Sequence, residues 1–145
     1  MTMMTMLQPS FTLPVRVYYE DTDAGGVVYY ASYLKFLERA RTEWLRSLGF
    51  EQAQLARDLG VAFAVRSLTA EYLKPARLDD LLNVNTAMMS LGRAQLVFDQ
   101  KIERNDEVLL TASLRIACFD PVRLKATAIP KAMHEKFKTL IGNQA

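Results

Sequence analysis

The most reactive stretch of the sequence is an acidic, glycine-rich segment between residues 20 and 26. Asp21 and Asp23 stand two positions apart and precede Gly25 and Gly26. Glycine permits backbone angles that other residues avoid and lets a ligand approach the main chain closely. A carboxylate in such a turn has the chemistry of a general base, or of a nucleophile that attacks a carbonyl carbon.

A strongly apolar helical pattern follows this segment and begins near Tyr30. The first backbone N–H groups of a helix have no partner inside it, and the helix dipole favours negative charge there. We therefore expect an acidic side chain to face the helix start across the glycine turn. The carboxylate would act at a carbonyl group, and the free N–H groups would hold the developing oxyanion. The alternative is that Asp23 only stabilises the turn or caps the helix, because aspartate is common in both roles.

Length, composition and charge indicate one ordinary folded domain. The 145 residues suit a single domain, residues 1–145, in which residues 1–10 form a frayed end. A net charge of +2 is too small to indicate a nucleic-acid partner. The single cysteine, Cys118, fits a reducing compartment. We find neither a signal peptide nor the roughly 18 apolar residues of a membrane span, so we expect a cytoplasmic protein.

No metal or cofactor is expected from the motifs. The sequence contains no cysteine or histidine cluster with the spacing of a metal site. It also lacks the glycine motifs that cradle phosphates or dinucleotides.

Hydrophobic periodicity predicts one strand, one long helix and then four strands. Alternation over residues 13–19 predicts the first strand, and an apolar stripe from Tyr33 to Leu48 predicts the helix, which Gly49 ends. Strands are predicted to begin at Val61 and to cover 81–91, 94–104 and 108–118. Helices are predicted over residues 50–59 and from Pro130 onward.

The short loops between the last four strands predict that these strands are antiparallel neighbours. One helix cannot cover both faces of five long strands, but a twisted sheet can wrap around it. We therefore predict an α+β fold, in which an antiparallel five-stranded sheet wraps around one long central helix. Six residues of the last strand are predicted to share one face: Val108, Leu110, Ala112, Leu114, Ile116 and Cys118.

Four segments resemble the hotdog-fold acyl-CoA thioesterases of the 4-hydroxybenzoyl-CoA thioesterase type. They are VRVYYEDTDAGGVVY, ERARTEWLR, EYLKPARLDD and CFDPVRLKATAIP, and the likeness extends from about Val15 to Pro130. The chain is most similar to the bacterial branch associated with the Tol-Pal envelope system. The resemblance implies the hotdog fold and at least a dimer, because hotdog proteins pair their sheets edge to edge with active sites at the subunit interface.

The resemblance also implies roles for single residues. Asp23 matches the second aspartate of the D-x-D-x-x-G segment, which is the catalytic carboxylate in families of this type. Tyr30 matches the position whose backbone N–H polarises the thioester carbonyl. The Tol-Pal-associated branch usually has histidine there, so the chain departs from that branch, but a backbone donor survives the change. Gly25, Gly26 and Val27 complete the turn and are expected to contact the substrate.

The phosphates of coenzyme A require cations. We predict that Arg93, Arg123 and Lys125 bind them, with Lys74 and Arg77 as further candidates. Each of these residues is also compatible with a role as a solvated loop charge.

Taken together, these features predict an acyl-CoA thioesterase, a hydrolase that converts a thioester and water into a carboxylic acid and free coenzyme A. A homodimer or homotetramer is expected, and acyl carrier protein is a further expected partner. The alternative is a non-catalytic module that binds acyl-CoA or acyl carrier protein and is linked to envelope phospholipid synthesis. Tyr30, as the departure from the Tol-Pal branch, keeps that alternative open. The sequence leaves the choice among short, medium and aromatic acyl groups open.

Overall fold

The computed structural model of the protein describes residues 10–141, which form six strands and three helices. The predicted frayed end falls almost wholly outside this range. The strands are β1 (Phe11–Arg16), β2 (Ala62–Tyr72), β3 (Leu81–Leu91), β4 (Gln95–Arg104), β5 (Glu107–Asp120) and β6 (Lys125–Ala126). The helices are α1 (Tyr30–Ser47), α2 (Gln52–Asp58) and α3 (Lys131–Ile141). No helix within residues 10–141 is long and apolar enough to cross a membrane.

The strands form one antiparallel sheet in the order β1-β3-β4-β5-β2, and the short β6 pairs with β5. The prediction of an antiparallel sheet is confirmed, but the predicted pairing of the first two of the four later strands is wrong. β2 pairs with β5, because residues 73–80 are long enough to leave the β2 edge and carry the chain to the β1 side. Strand β2 therefore lies at an edge of the sheet.

Helix α1 packs its predicted apolar stripe against the concave face of the sheet. The stripe is buried over Tyr33, Phe36, Leu37, Ala40, Trp44 and Leu45. The helix ends as predicted, since Gly49 has a φ of 96° and its N–H donates to the Arg46 carbonyl at 2.9 Å. The predicted fold, an antiparallel sheet around one long central helix, is confirmed, and α3 packs beside α1 with the rings of Trp44 and Phe137 5.3 Å apart.

Two local predictions about strands are wrong. Tyr19 belongs to a 3₁₀ turn, Tyr19–Asp21, and not to the first strand, which ends at Arg16. Val108 does not share the face of Leu110. Ile102 of β4 pairs with Leu110, but the next β4 residue, Glu103, pairs with Val108, so one residue of β5 is skipped. A bulge of this kind inserts one residue and reverses which face the following side chains occupy.

We predict that the Cys118 thiol is inert in the folded protein. The side chain is fully buried, and burial raises the pKa of Cys118 to about 11. Since the thiolate is the reactive form, native protein at pH 8 should react with a chromogenic disulfide reagent about 100-fold more slowly than the urea-unfolded chain.

The same shift gives a sign for pH dependence. The pKa of Cys118 in the folded state lies above the unfolded value of about 8.5. The contribution of this thiol to the free energy of unfolding is therefore complete below about pH 8.5 and falls as the pH rises toward 11. Labelling of the native protein at the unfolded rate would contradict the burial of this thiol.

Candidate active site

The acidic segment folds into a tight backbone hairpin. The Asp23 N–H donates to the Val27 carbonyl at 2.9 Å, and the Gly26 N–H donates to the Asp23 carbonyl at 3.0 Å. Thr22 and Val28 form an antiparallel bridge at its base. Gly26 has a φ of 79°, a left-handed conformation that favours glycine and explains its place in the segment.

The hairpin also fixes the carboxylate of Asp23. One oxygen, Oδ1, accepts the Gly25 N–H at 2.9 Å, which is the turn-stabilising role that the sequence left open. A Cβ at position 25 would lie 3.3 Å from that same oxygen, so a larger residue there would press on the carboxylate. The side chain of Asp23 is exposed in the single chain. One hydrogen bond therefore restrains the carboxylate, which is open to solvent in the single chain.

Helix α1 begins at Tyr30, as predicted, and no side chain among residues 10–141 caps its N-terminus. The capping residue, Tyr29, is extended and makes no side-chain hydrogen bond, and the first turn contains no acidic residue. The Tyr29 N–H donates to the Asp21 carbonyl at 2.9 Å, which ties the helix start to the opposite arm of the hairpin. The first N–H groups of a helix have no partner inside it, so those of Tyr30 and Ala31 are suited to an anionic or carbonyl oxygen.

Asp21 supports the hairpin from inside. Its carboxylate is almost completely buried, and its Oδ2 accepts the Tyr18 N–H at 2.9 Å. The other oxygen lies 4.0 Å from the Lys35 ammonium group and has no hydrogen-bond partner among the described residues. The hydrogen bond from Tyr18 therefore ties this buried acid to the main chain before the hairpin.

The far wall of the hairpin comes from the connection between β2 and β3, in which sequence reasoning identified only the cation candidates Lys74 and Arg77. The Val28 N–H donates to the Ala76 carbonyl at 2.9 Å, and Val27 bridges to Arg77. The Ala76 N–H in turn donates to the Tyr33 hydroxyl at 3.0 Å. Burial raises the pKa of Tyr33, so this hydroxyl stays neutral. Arg77, named among the further cation candidates, is thus placed beside the glycine turn.

Ion pairs hold this connection to the sheet. Arg104 contacts Asp80 at 2.7 Å and Glu107 at 2.8 Å, and Lys74 contacts Glu107 at 2.6 Å. The Asp80 carboxylate also accepts the Arg77 N–H at 2.8 Å. Burial alone would raise the pKa of Asp80, but hydrogen bonds from Arg104 and from the Arg77 N–H outweigh it and leave the pKa below its usual value.

The predicted site residues fall into two groups in the single chain. Asp23, the glycines, Val27 and Tyr30 lie together at the end of the sheet where β3 begins, next to Arg16 of β1. Arg93 lies in the turn at the other end of β3, and its carbonyl accepts the Ile129 N–H at 2.9 Å. Eleven residues of strand separate the two ends, on the order of 30 Å.

Arg123 and Lys125 belong to the group at the far end with Arg93. They lie in the connection after β5 and in the short strand β6. The end of β5 is next to the start of β4, because Ala117 pairs with Gln95, two residues after Arg93. Both side chains are exposed. A single chain does not bring these three cations to Asp23.

A curled antiparallel sheet around a long helix, with an aspartate–glycine turn at the helix start, defines a hotdog-fold thioesterase. In agreement with this geometry, residues 25–111 match the profile of the thioesterase superfamily. The chain belongs to that superfamily, and the resemblance to hotdog-fold acyl-CoA thioesterases is confirmed.

Three similar proteins illustrate the relationship. The acyl-CoA thioesterase YbgC of Haemophilus influenzae is 47% identical over 93% of this chain and 99% of its own length. The acyl-CoA thioester hydrolase YbgC of Escherichia coli O6:H1 is 51% identical over 88% of this chain and 96% of its own. A probable thioesterase from Bartonella henselae has a crystal structure with a TM-score of 0.81 at 35% identity, covering 84% of this chain and all of its own.

We predict that Tyr33→Phe lowers the free energy of unfolding by about 1–3 kcal/mol, because the buried Ala76 N–H loses its acceptor. Urea denaturation measures this change. The matched control is Tyr72→Phe, whose exposed hydroxyl donates to the Tyr30 carbonyl at 3.3 Å and should cost less than about 0.5 kcal/mol. Equal costs for the two variants would contradict a specific role for the Tyr33 hydroxyl.

Proposed function

We propose that the protein is an acyl-CoA thioesterase whose catalytic carboxylate is Asp23. The observation that carries the proposal is the fixed Asp23 carboxylate on a hairpin that is hydrogen-bonded to the start of an uncapped 18-residue helix. Relatives that share most of this chain carry the names acyl-CoA thioesterase and acyl-CoA thioester hydrolase, which supports the same reaction.

The reaction consumes one water for each thioester. In one route, Asp23 removes a proton from water, and the water oxygen attacks the thioester carbonyl carbon. In the other route, the Asp23 carboxylate attacks that carbon itself, and water then hydrolyses the acyl-enzyme anhydride and frees Asp23. The carbon–sulfur bond breaks, and the sulfur leaves with its electron pair and takes up a proton. The products are a carboxylic acid and free coenzyme A, and no redox partner or cofactor takes part.

The start of α1 supplies the electrostatic part of this mechanism. Attack on the carbonyl carbon moves negative charge to the carbonyl oxygen, which the backbone N–H of Tyr30 receives with the aid of the helix dipole. Gly25 and Gly26 leave room beside Asp23 for the thioester, and Val27 forms the half-buried floor next to Arg77.

We also propose that the active form is at least a homodimer, built by pairing two β2 strands. Strand β2 lies at a sheet edge and exposes Val65, Leu68 and Tyr72. Unpaired edge strands readily accept another strand, and two-fold pairing would place the start of the partner's β2 beside Tyr72 of this chain. The Tyr72 hydroxyl donates to the Tyr30 carbonyl, so this is the catalytic end of the sheet.

This pairing resolves the separation of the predicted cations. The start of β2 pairs with the end of β5, where Ala62 lies opposite Phe119, and the connection bearing Arg123 and Lys125 follows directly. The partner subunit's Arg123, the partner subunit's Lys125 and the partner subunit's Arg93 would therefore approach Asp23 of this chain and bind the phosphates of the same substrate.

The setting of the reaction follows from the same chemistry. The single buried cysteine fits a reducing compartment, so we propose a cytoplasmic enzyme. Thioesters on acyl carrier protein carry the same reactive group, so the carrier protein is a second acyl donor to be tested. The proposed link to the Tol-Pal system stays a prediction.

Release of free thiol from a panel of short, medium, long and aromatic acyl-CoAs tests the proposed activity. We expect hydrolysis of at least one class well above the rate in buffer. Absence of hydrolysis across the panel, together with measurable acyl-CoA binding, would favour a non-catalytic binding module and overturn the proposal.

We predict that Asp23→Asn lowers kcat for the best substrate by at least about 100-fold while the variant folds and still binds coenzyme A. Asparagine keeps the Gly25 hydrogen bond but cannot act as a base. The matched comparison is Asp23→Glu, which keeps the charge and should retain more activity. Near-normal turnover by the asparagine variant would remove Asp23 from the mechanism.

Sharing of each site between two subunits predicts complementation. Asp23→Asn protein and Arg123→Gln/Lys125→Gln protein should each be impaired, the second mainly through a raised KM. Unfolded together and refolded as a mixture, they should regain about a quarter of wild-type activity, because half of the dimers are mixed and one of their two sites is intact. Refolding each variant alone is the control, and no recovery in the mixture would contradict the shared site.

A further inference from the structure

A small cavity lies well along α1 from the proposed catalytic end. It has a volume of about 230 Å³, is partly open to solvent, and lies between helices α1 and α2 and strands β2, β4 and β5. Its apolar lining is formed by Trp44, Leu45, Phe63, Leu96, Phe98 and Ile116. A cavity of this character accommodates an apolar segment of a ligand.

One guanidinium group borders this apolar cavity and is held in place by buried polar groups. The Arg41 Nη1 donates to the Gln100 Oε1 at 3.0 Å. Gln100 is only 3% exposed, and its amide nitrogen donates to the Leu37 carbonyl at 3.0 Å and to the Thr86 hydroxyl at 2.8 Å. Two buried side chains and a helix carbonyl therefore orient a single half-buried cation.

The charge of Arg41 is not balanced by an ion pair within the described residues. Burial lowers the pKa of Arg41, and the charge of Glu38 only partly opposes this effect. Glu38 also borders the cavity, but its side chain is exposed and accepts the Thr42 hydroxyl at 3.4 Å. A partly desolvated cation without a counter-ion is costly, and an incoming anion would offset that cost.

Two exposed rows of side chains connect the catalytic end to this cavity. On α1, Tyr30, Leu34 and Glu38 are spaced by four and share a face. On β2, Tyr72 and Val65 are exposed on the helix-facing side, since they pair with the buried Leu110 and Ile116. The rows meet where the Tyr72 hydroxyl reaches the Tyr30 carbonyl, and Val65 lines the cavity at the other end.

We propose that the acyl group runs along these rows into the cavity, and that Arg41 selects acyl groups that end in a carboxylate. The substrate class is the coenzyme A monothioesters of medium-chain dicarboxylic acids. The inference rests on the proposed thioesterase function and adds the identity of the acyl group. Arg41 is then a specificity-determining residue that does not touch the reacting thioester.

The distance between the two ends sets the length of the acyl group. Arg41 follows Tyr30 by eleven positions, about 16 Å along the helix axis, and its side chain leans back toward the helix N-terminus. An extended chain advances about 1.2 Å per bond, so a span of about 10–16 Å corresponds to roughly eight to thirteen bonds. An acyl group of about ten carbons fits this span.

The test compares sebacoyl-CoA with decanoyl-CoA, which both have ten carbons and differ only in the terminal carboxylate. We expect the wild-type protein to favour sebacoyl-CoA in kcat/KM by about tenfold or more, as for a charge-assisted contact. Arg41→Met should lower that ratio at least tenfold, and Arg41→Lys should retain part of it. Because the ratio is measured within each protein preparation, partial loss of folded enzyme does not change it.

The matched control is Arg39→Met, which removes an exposed arginine from the same helix and should leave the ratio at its wild-type value. A wild-type ratio at or below one, or a ratio that Arg41→Met leaves unchanged, would overturn the assignment. Hydrolysis of decanoyl-CoA without preference for sebacoyl-CoA would contradict the role of Arg41 but leave the proposed thioesterase function intact. Failure to hydrolyse any thioester would instead remove the thioesterase function.

Discussion

The arrangement of the candidate active site depends on one buried residue, Ala76. Both backbone polar groups of Ala76 are used: its carbonyl accepts the Val28 N–H of the acidic hairpin, and its N–H donates to the Tyr33 hydroxyl of α1. Buried peptide groups are costly to leave unpaired, so this residue joins the hairpin to the helix. Asp80, paired with Arg104, holds the same connection to the sheet. The carboxylate of Asp23 and the helix start are positioned by these contacts.

Most of the fold could be predicted from local patterns, because the elements carry strong periodicity. The limits of α1 and β3 follow from an apolar stripe and from turn residues, and they agree with the structure. The pairing of β2 with β5 could not be predicted, since nothing local tells a hairpin from a crossover of eight residues. The bulge beside Val108 is equally invisible, because one inserted residue leaves the alternation before and after it intact.

The candidate site also has one part that the sequence predicts and another that depends on the fold. Asp23, Gly25, Gly26 and Tyr30 are contiguous, so a local motif places them together, and the structure adds only the hydrogen bonds that orient them. The wall formed around Ala76 comes from a distant segment and depends on the crossover. The exposed Arg123 and Lys125 lie at the far end of the single chain, so their proposed place beside Asp23 requires a second copy of the chain.

Each contribution to the proposed site has its own physical cause: a glycine turn that fixes an acid, a helix start that accepts an oxyanion, and an edge strand that recruits a second subunit. The most direct test of this account is a crystal structure of the Asp23→Asn protein with an intact acyl-CoA. The account predicts the thioester carbonyl oxygen within hydrogen-bond distance of the Tyr30 N–H, with residue 23 beside the carbonyl carbon. A thioester bound away from the start of α1 would contradict it.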